Sequence, residues 1–411
     1  MVKNPVNISA LVCAVLLFSG IVVPKNRTPF LCVLKNSQIV QMEGFVCSNP
    51  VKIQLLGEYY QASFSPNKCV AQNGCFSSST GKINLLIPCD IVERFYPGKL
   101  YTSVRKSEGA LVENGAKLRI SVSSIQKSGF DDFFRLNSLE ALGWKSSFSH
   151  FRAVCRLQFK RLMFAWKEAG GLLLALISGS REYTEKSVGE AFKNAGLSHV
   201  LALSGMHLSL FGGLAFFLGK KFSSKNLADG IQLAAITFFV WFAGISPSLF
   251  RAFLSAVLIF LSSLFRINRP ESVSVLSFTF LLHILIFPDH IQNAGFMLSY
   301  GSLAGILIFS NFFRKILPVF FPYKLRCSLA ASCSAQLATS PVVLKLFGKI
   351  MPIGILASVL VSPIVVIFLY FGLFGMIICL VLPFLSRPLS VIMNVIYYII
   401  KLLVINFNRF S

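Results

Sequence analysis

Eight long apolar runs in the second half of the chain constrain its fold more than any other feature. They fall near residues 200–219, 229–244, 252–265, 272–287, 295–313, 327–346, 353–381 and 389–403, and runs of this length and apolarity read as membrane spans. Composition agrees, because 55% of the 411 residues are hydrophobic, only 13% are charged and 41 are phenylalanine. A soluble globule carries more charge. A ninth run, residues 11–23, ends at Pro24; a cleaved signal peptide has the same shape, but no small-x-small pattern follows, so residues 1–24 are read as an uncleaved anchor. The expected fold is a mainly α, multipass membrane protein of about nine spans. Run 353–381 holds Pro363, which allows a tilt, a kink or two separate pieces.

Between anchor and spans the composition turns β-rich. In residues 25–150, alternating or β-branched runs at 45–56, 61–64, 82–87, 99–104 and 117–125 are punctuated by Gly, Pro, Asn and Ser. Such short strands suit a small extracytoplasmic β-barrel of the oligonucleotide/oligosaccharide-binding (OB) kind. Cys32, Cys47, Cys69, Cys75 and Cys89 lie here, and Cys69 and Cys75, which bracket a Gln-Asn-Gly turn, are the disulfide candidate. The segment has 15 Lys/Arg against 9 Asp/Glu. Lys52, Tyr59, Tyr60 and Lys68 are candidate contacts to single-stranded nucleic acid, where cations track the backbone and rings stack on bases; a solvated basic surface over an aromatic core would look the same.

Residues 151–197 begin with Arg152, Arg156, Lys160 and Lys167 at helical spacing beside Leu157, Phe159, Leu162 and Trp166. That is the pattern of a basic amphipathic helix lying in the membrane interface, although an ordinary helix packed on its neighbours shares it. A polar connector helix follows, and residues 198–411 form the membrane domain. Loop charge orients it. Ten Lys/Arg sit around Lys220, Lys221, Lys225, Arg266, Arg269, Arg314, Lys315, Lys324, Arg326 and Arg387, while the alternate loops carry only Lys349. By the positive-inside rule the first set is cytoplasmic, which puts the N-terminus inside and the β domain and C-terminus outside.

The stretch His199-Val-Leu-Ala-Leu-Ser-Gly-Met-His-Leu-Ser-Leu-Phe-Gly-Gly213 sets two histidines and two serines into such a run. Burying such groups in hydrocarbon costs several kcal/mol each without partners, so this is where function is expected. With Phe192-Lys-Asn-Ala-Gly196 before it, the stretch resembles the signature of the ComEC family of competence proteins, which carry transforming DNA through the bacterial cytoplasmic membrane. Pro247-Ser-Leu-Phe-Arg-Ala252, Asn293-Ala-Gly-Phe-Met-Leu-Ser299 and Ala335–Pro341 are similar to further family segments in the same order. Pro97-Gly-Lys-Leu-Tyr101 and Asn114-Gly-Ala-Lys-Leu-Arg119 resemble the family's outer domain. Many members continue into a metallo-β-lactamase-like domain with a His-x-His-x-Asp-His cluster; no such cluster occurs in these 411 residues.

The resemblance implies a channel for single-stranded DNA during natural transformation. The expected path residues are Ser204, Gly205, His207 and Ser209, with His199 at the outer mouth and Arg251, Asn293 and Ser299 on the opposing wall. A polyanion needs a wet, cationic route through hydrocarbon, and a Gly- and Ser-rich helix start offers free N–H groups. Without a phosphate-binding loop in the sequence, the expected partners are a cytoplasmic translocation ATPase, an extracytoplasmic DNA receptor, a separate nuclease, membrane lipid and a further copy of the chain. No cofactor or metal is expected, since His199, His207, His283 and His290 are scattered and no carboxylate motif accompanies them. Two rivals remain. An intramembrane serine hydrolase would use Ser204 and His207, although two residues three apart on one helix rarely form a dyad. A transporter of a small anion would use the same polar helix start, but it would leave the large basic outer domain unexplained.

Overall fold

Strand alternation and long apolar helices divide the chain into two parts in the computed structural model, which describes residues 4–18, 29–53, 58–97, 111–125, 133–222, 225–266 and 270–408. The strands are β1 (Leu31–Cys32), β2 (Ile39–Val46), β3 (Val51–Ile53), β4 (Tyr59–Ala71), β5 (Phe76–Thr80), β6 (Ile83–Pro88), β7 (Ala116–Ser124) and β8 (Phe133–Trp144). Along β4 every second residue from Tyr60 to Pro66 is buried, because a pleated strand with one face on a core places alternate side chains inside. Antiparallel ladders join β2 to β4, β4 to β6, β8 to β7 and β7 to β2, and a parallel ladder joins β6 to β8. These five pairings form a circuit. At Gly44 of β2 a Cβ would stand 2.1 Å from the Ser65 carbonyl oxygen, so only glycine permits the close approach at the register shift beside it.

The expected segments 61–64, 82–87 and 117–125 fall on observed strands and 45–56 meets the end of β2 and β3, while residues 54–56, 99–104 and 98–101 of the Pro97 motif lie outside the described residues. β5, a serine run, and β8, exposed along its second half, lack the alternation that marks a half-buried strand, so neither stood out in the sequence. The Cys69–Cys75 bridge is not formed. Both thiols are free; Cys69 points into the core and donates to Ser79 Oγ at 3.3 Å, while Cys75 is exposed on a turn that a backbone bond from Ala71 N to Cys75 O already closes.

The helices are α1 (Pro5–Phe18), α2 (Cys89–Glu93), α3 (Ser147–Ala165), α4 (Lys167–Ser178), α5 (Lys186–Asn194), α6 (Ser198–Leu201), α7 (Gly205–Phe222), α8 (Lys225–Ala243), α9 (Pro247–Leu264), α10 (Ser272–Ile286), α11 (Ala294–Ile316), α12 (Tyr323–Phe347), α13 (Ile353–Val381) and α14 (Ser386–Asn408). Five stretches, Pro247–Leu264, Ala294–Ile316, Tyr323–Leu346, Ile353–Val381 and Pro383–Phe407, are long and apolar enough to cross a membrane; Pro5–Leu17, Leu227–Ala243 and Ser272–Ile286 are apolar but shorter. α13 runs unbroken through Pro363. At 29 residues it is about 44 Å long, more than the roughly 30 Å of hydrocarbon, which favours tilt. α4 is buried along its length from Ala169 to Ser178 and forms the centre of the helical core with α13 and α14.

α3 joins the two parts, and its basic face is turned into the protein. Arg156 Nε lies 3.1 Å and Lys160 Nζ 3.3 Å from the Glu113 carboxylate, and Lys160 reaches Glu182 at 3.1 Å and donates to the Tyr96 hydroxyl at 2.9 Å. Arg152 donates to the Trp241 carbonyl and Arg156 to the Phe242 carbonyl at 2.9 Å, which satisfies the open carbonyls at the end of α8. Residues left exposed on α3 include Phe148, Phe151, Val154 and Phe164. Burial opposes both charges, yet Arg156 and Lys160 hold the Glu113 carboxyl below the usual carboxylate range, and Glu182 and Glu113 hold Lys160 above the usual lysine range.

Removing one partner of such a cluster leaves an uncompensated buried charge, at a cost of about 3–5 kcal/mol. Glu113→Gln is therefore expected to lower the thermal unfolding midpoint of the purified chain by on the order of 10 °C. Because the Glu113 pKa is depressed, its contribution is present above the unfolded carboxylate value and lost as pH falls through the folded one. The midpoint of the parent chain should fall with acid on that account, and that of the variant should fall less.

Candidate functional site

Helical geometry breaks where the polar stretch enters the bundle. After α6 the chain turns extended at Ala202 and resumes as helix only at Gly205, so Ser204 stands just before α7. Its backbone N–H donates to His207 Nδ1 at 3.2 Å, and its Oγ lies 3.1 Å from the same nitrogen. An amide can only donate, so Nδ1 carries a lone pair, the imidazole is neutral with its proton on Nε2, and the hydroxyl is the donor in the second contact. The arrangement is one half of a capping box with an imidazole in the usual place of Glu or Gln. Two residues three apart on one helix rarely make the contact a dyad needs; here the serine precedes the helix rather than lying on it, which is why the two meet.

His207 is 3% exposed. Its Nε2 is buried without a partner, beside a cavity of about 10 Å³ lined by Leu176, Ile177, Leu210, Phe211, Phe239 and Leu369, among others. That is room for about one water. Tertiary packing thus seats His207 among apolar side chains.

The opposing residues do converge on this helix start. Ser246 caps α9 by accepting from Leu249 N, and one turn later Arg251 Nε donates to Ser299 Oγ of α11 at 2.8 Å. A Cβ on Gly205 would lie 3.3 Å from Arg251 Nη2 and 3.2 Å from the Ala252 Cβ, so the bare glycine is what lets the guanidinium close on α7. Arg251 forms no salt bridge among the described residues. Asn293 caps α11 by accepting from Gly295 N at 2.8 Å, and Ser248 of α9 donates to the Gly295 carbonyl at 3.3 Å. Ser209 is exposed, its hydroxyl donating back to Met206 O, and His199 is exposed on α6; neither joins the Arg251 group.

Two polar sites were missed in the sequence. Gln336 of α12 donates to Met351 O at 2.8 Å while its Oε1 is buried without a partner, and Ser332 meets Ser358 of α13 at 3.2 Å. A glutamine inside an apolar run was signal enough.

In the sheet domain the structure separates the candidate contacts. Tyr60 is fully buried with its hydroxyl donating to Glu93 at 3.0 Å, and Lys52 is neutralised by Glu93 at 2.9 Å and Glu58 at 3.6 Å. Neither is open to a ligand, because the inward phase of β4 claims the ring and an acidic pair claims the amine. Tyr59 lies half-buried under the Arg135 guanidinium at 5.5 Å. Lys68 is exposed and sits 4.7 Å over the ring of Phe76, which is 71% exposed and was not singled out in the sequence. Among the described residues no group of three metal-ligating side chains occurs.

If His207 acts chiefly as the acceptor that holds the α7 start, glutamine can replace it and alanine cannot. His207→Gln should keep the unfolding midpoint and membrane abundance near the parent's, whereas His207→Ala, which leaves the Ser204 donors unpaired, should lose about 1–2 kcal/mol.

Comparison with known proteins places these features in context. A family model described as "Competence protein" matches residues 176–410. The chain is 26% identical over 197 residues to ComE operon protein 3 of Bacillus subtilis, covering 48% of this chain and 25% of that protein. It is 25% identical over 214 residues to Recombination protein 2 of Haemophilus influenzae, covering 47% and 26%. An uncharacterized protein of Aquifex aeolicus is 25% identical over 223 residues, covering 54% and 50%. The matched region is thus between a quarter and a half of each relative's length. No solved structure matches the chain.

Proposed function

The chain belongs to the competence protein family, and on that premise we propose that it conducts single-stranded DNA across the bacterial cytoplasmic membrane during DNA uptake. The observation that carries the reading is Arg251. A cation without a carboxylate partner among the described residues, held by Ser299 against the bare start of α7, costs free energy inside a helix bundle unless an anion completes it. The starts of α7, α9 and α11 lie around it, and each presents the positive end of a helix dipole. A backbone phosphate is the anion this group fits, with Ser204, Gly205, Arg251 and Ser299 along the path and His207 holding the helix start.

The remaining elements support the same reading. The strand circuit, with its one parallel pair, supports the reading of the sheet domain as a small OB-type barrel, and the Lys68–Phe76 pair on it would offer a cation and a ring to a single strand. The five helices long enough to cross a membrane and the shorter apolar α1, α8 and α10 support a multipass reading of nine spans with α7, which loop charge would orient with the sheet domain outside, and the exposed Phe148, Phe151 and Phe164 of α3 suit the membrane interface. An extracytoplasmic receptor would deliver the strand, a cytoplasmic ATPase would pull it, and a nuclease acting in trans would remove its complement.

The Ser204–His207 contact favours one other reading, an intramembrane serine hydrolase. Against it, Nδ1 also takes the backbone N–H, and Nε2 meets an apolar cavity instead of a carboxylate that would orient it. Covalent labelling of Ser204 by a fluorophosphonate probe would select the enzyme over the conduit.

Arg251→Ala at normal membrane abundance is expected to lower cytoplasmic uptake of labelled DNA by on the order of tenfold, with partial recovery in Arg251→Lys; undiminished uptake removes Arg251 from the path. In the sheet domain, Phe76→Ala should weaken oligo-dT binding by the full chain by about 1–3 kcal/mol. Lys68→Ala should reduce the salt slope of that binding by about one, read by fluorescence anisotropy over a salt series.

A further inference from the structure

Outside the Arg251 group, a second polar chain enters the bundle. The Tyr300 hydroxyl of α11 donates to the Thr279 carbonyl of α10 at 3.0 Å. With its proton engaged, Tyr300 can only accept from His283, whose Nδ1 lies 3.2 Å away. His283 Nδ1 therefore carries hydrogen, and in the neutral ring Nε2 is a bare acceptor. His290 Nδ1, on the 3-10 turn Pro288–Gln292, stands 3.0 Å from that nitrogen and must be the donor. All the hydrogens point inward, from His290 through His283 and Tyr300 to Thr279. His290 Nε2 remains as the basic atom at the outer end of the chain, on a ring that is partly exposed.

His283 itself is fully buried, walled by the rings of Phe250, Phe296 and Tyr300 at 4.9, 5.0 and 5.8 Å. Neighbouring residues tie this relay to the cation described above. Phe250 packs on His283 and Arg251 follows it on α9; Ser299 accepts from Arg251 and Tyr300 follows it on α11.

We propose that His290 and His283 form a binding site for one proton, open on the face that carries the sheet domain, and that this proton is linked to anion binding at Arg251. A proton arriving on His290 Nε2 makes that ring an imidazolium. Passing the Nδ1 hydrogen across the 3.0 Å contact moves the charge to His283 and leaves His290 neutral, so one proton has two positions. A second is excluded, since two cations would face each other across a single hydrogen bond beside Arg251.

Among the described residues the surrounding titratable groups are few. Asp289 adjoins His290 on the turn, Lys82 approaches from the sheet domain, Arg251 stands on α9, Tyr300 lies on α11, and α1, packed on this cluster, brings only the thiol of Cys13. Burial, with Asp289 opposing and Lys82 adding to it, holds His290 below the usual histidine range, so the site takes up its proton on acidification. A phosphate against Arg251 would stabilise the bound proton, and by linkage the proton would strengthen phosphate binding. This second half rests on the conduit reading; the proton site does not.

The test uses the full chain in lipid nanodiscs with ¹⁵N-labelled histidine, titrated by NMR from pH 4.5 to 8. Two histidine resonances should move together for the uptake of one proton below the ordinary histidine range. That paired response should be lost in His290→Gln, and also in Tyr300→Phe, a milder change that removes the acceptor of His283. Independent titration of the two rings, or no titration of either, overturns the site. Oligo-dT should then shift the paired midpoint upward in the parent chain and leave it unmoved in Arg251→Gln. An oligonucleotide that binds without moving the midpoint overturns the linkage. One that fails to bind at any pH overturns the conduit reading and the linkage with it, while the paired titration alone still decides the proton site.

Discussion

Helix ends that cannot face water must find partners inside the protein, and that requirement organises this chain. Four open carbonyls and four open amides at the ends of each helix are costly in an apolar setting. The end of α8 is met by Arg152 and Arg156 from α3, the start of α7 by His207, the start of α9 by Ser246 and the start of α11 by Asn293. Each of these partners is a polar side chain placed at a helix end, Asn293 on an exposed turn and the arginines and His207 buried. The polar residues that mark the sequence are therefore first of all the groups that let short and interrupted helices exist within the bundle.

That view separates two kinds of polar residue at the candidate site. His207 is consumed by its cap, with one nitrogen engaged and the other closed in by Leu and Phe side chains. Arg251 is not consumed: its bond to Ser299 leaves guanidinium donors over, and the bare Gly205 lets them lie against the start of α7. A group with donors to spare can take a ligand that comes and goes, whereas a cap that releases its donors loosens the helix. The same logic applies across α3, where Glu113, Lys160 and Glu182 engage one another and thereby seat the sheet domain on the helices.

Much of the architecture was legible in advance. Among the described residues the expected spans fall largely on helices, five of them long and apolar enough to cross a membrane, since long apolar runs have few other solutions in a bilayer, and the β-rich segment became one connected sheet. The site was legible as a region and less so atom by atom. Arg251, Ser299 and Gly205 meet in the structure, but His199 and Ser209 fall away from them. Tyr60 and Lys52 turned inward or into an ion pair, and Phe76 emerged unannounced. Residue type shows that a ring or an amine is present; the phase of its strand decides whether a ligand can touch it.

The amino-acid sequence by itself determined that the chain has a helical bundle suited to a membrane, a basic β-rich segment before it and a polar helix start within it. Hydrophobic period and loop charge are local properties, written residue by residue. Only the tertiary structure decided which polar groups answer one another: that α3 faces the protein with its arginines, that Ser204 stands before its helix and so reaches His207, and that His283, His290 and Tyr300 line up between helices. Those pairings join residues up to tens of positions apart through the packing of whole elements, and no local pattern in the chain encodes that distance.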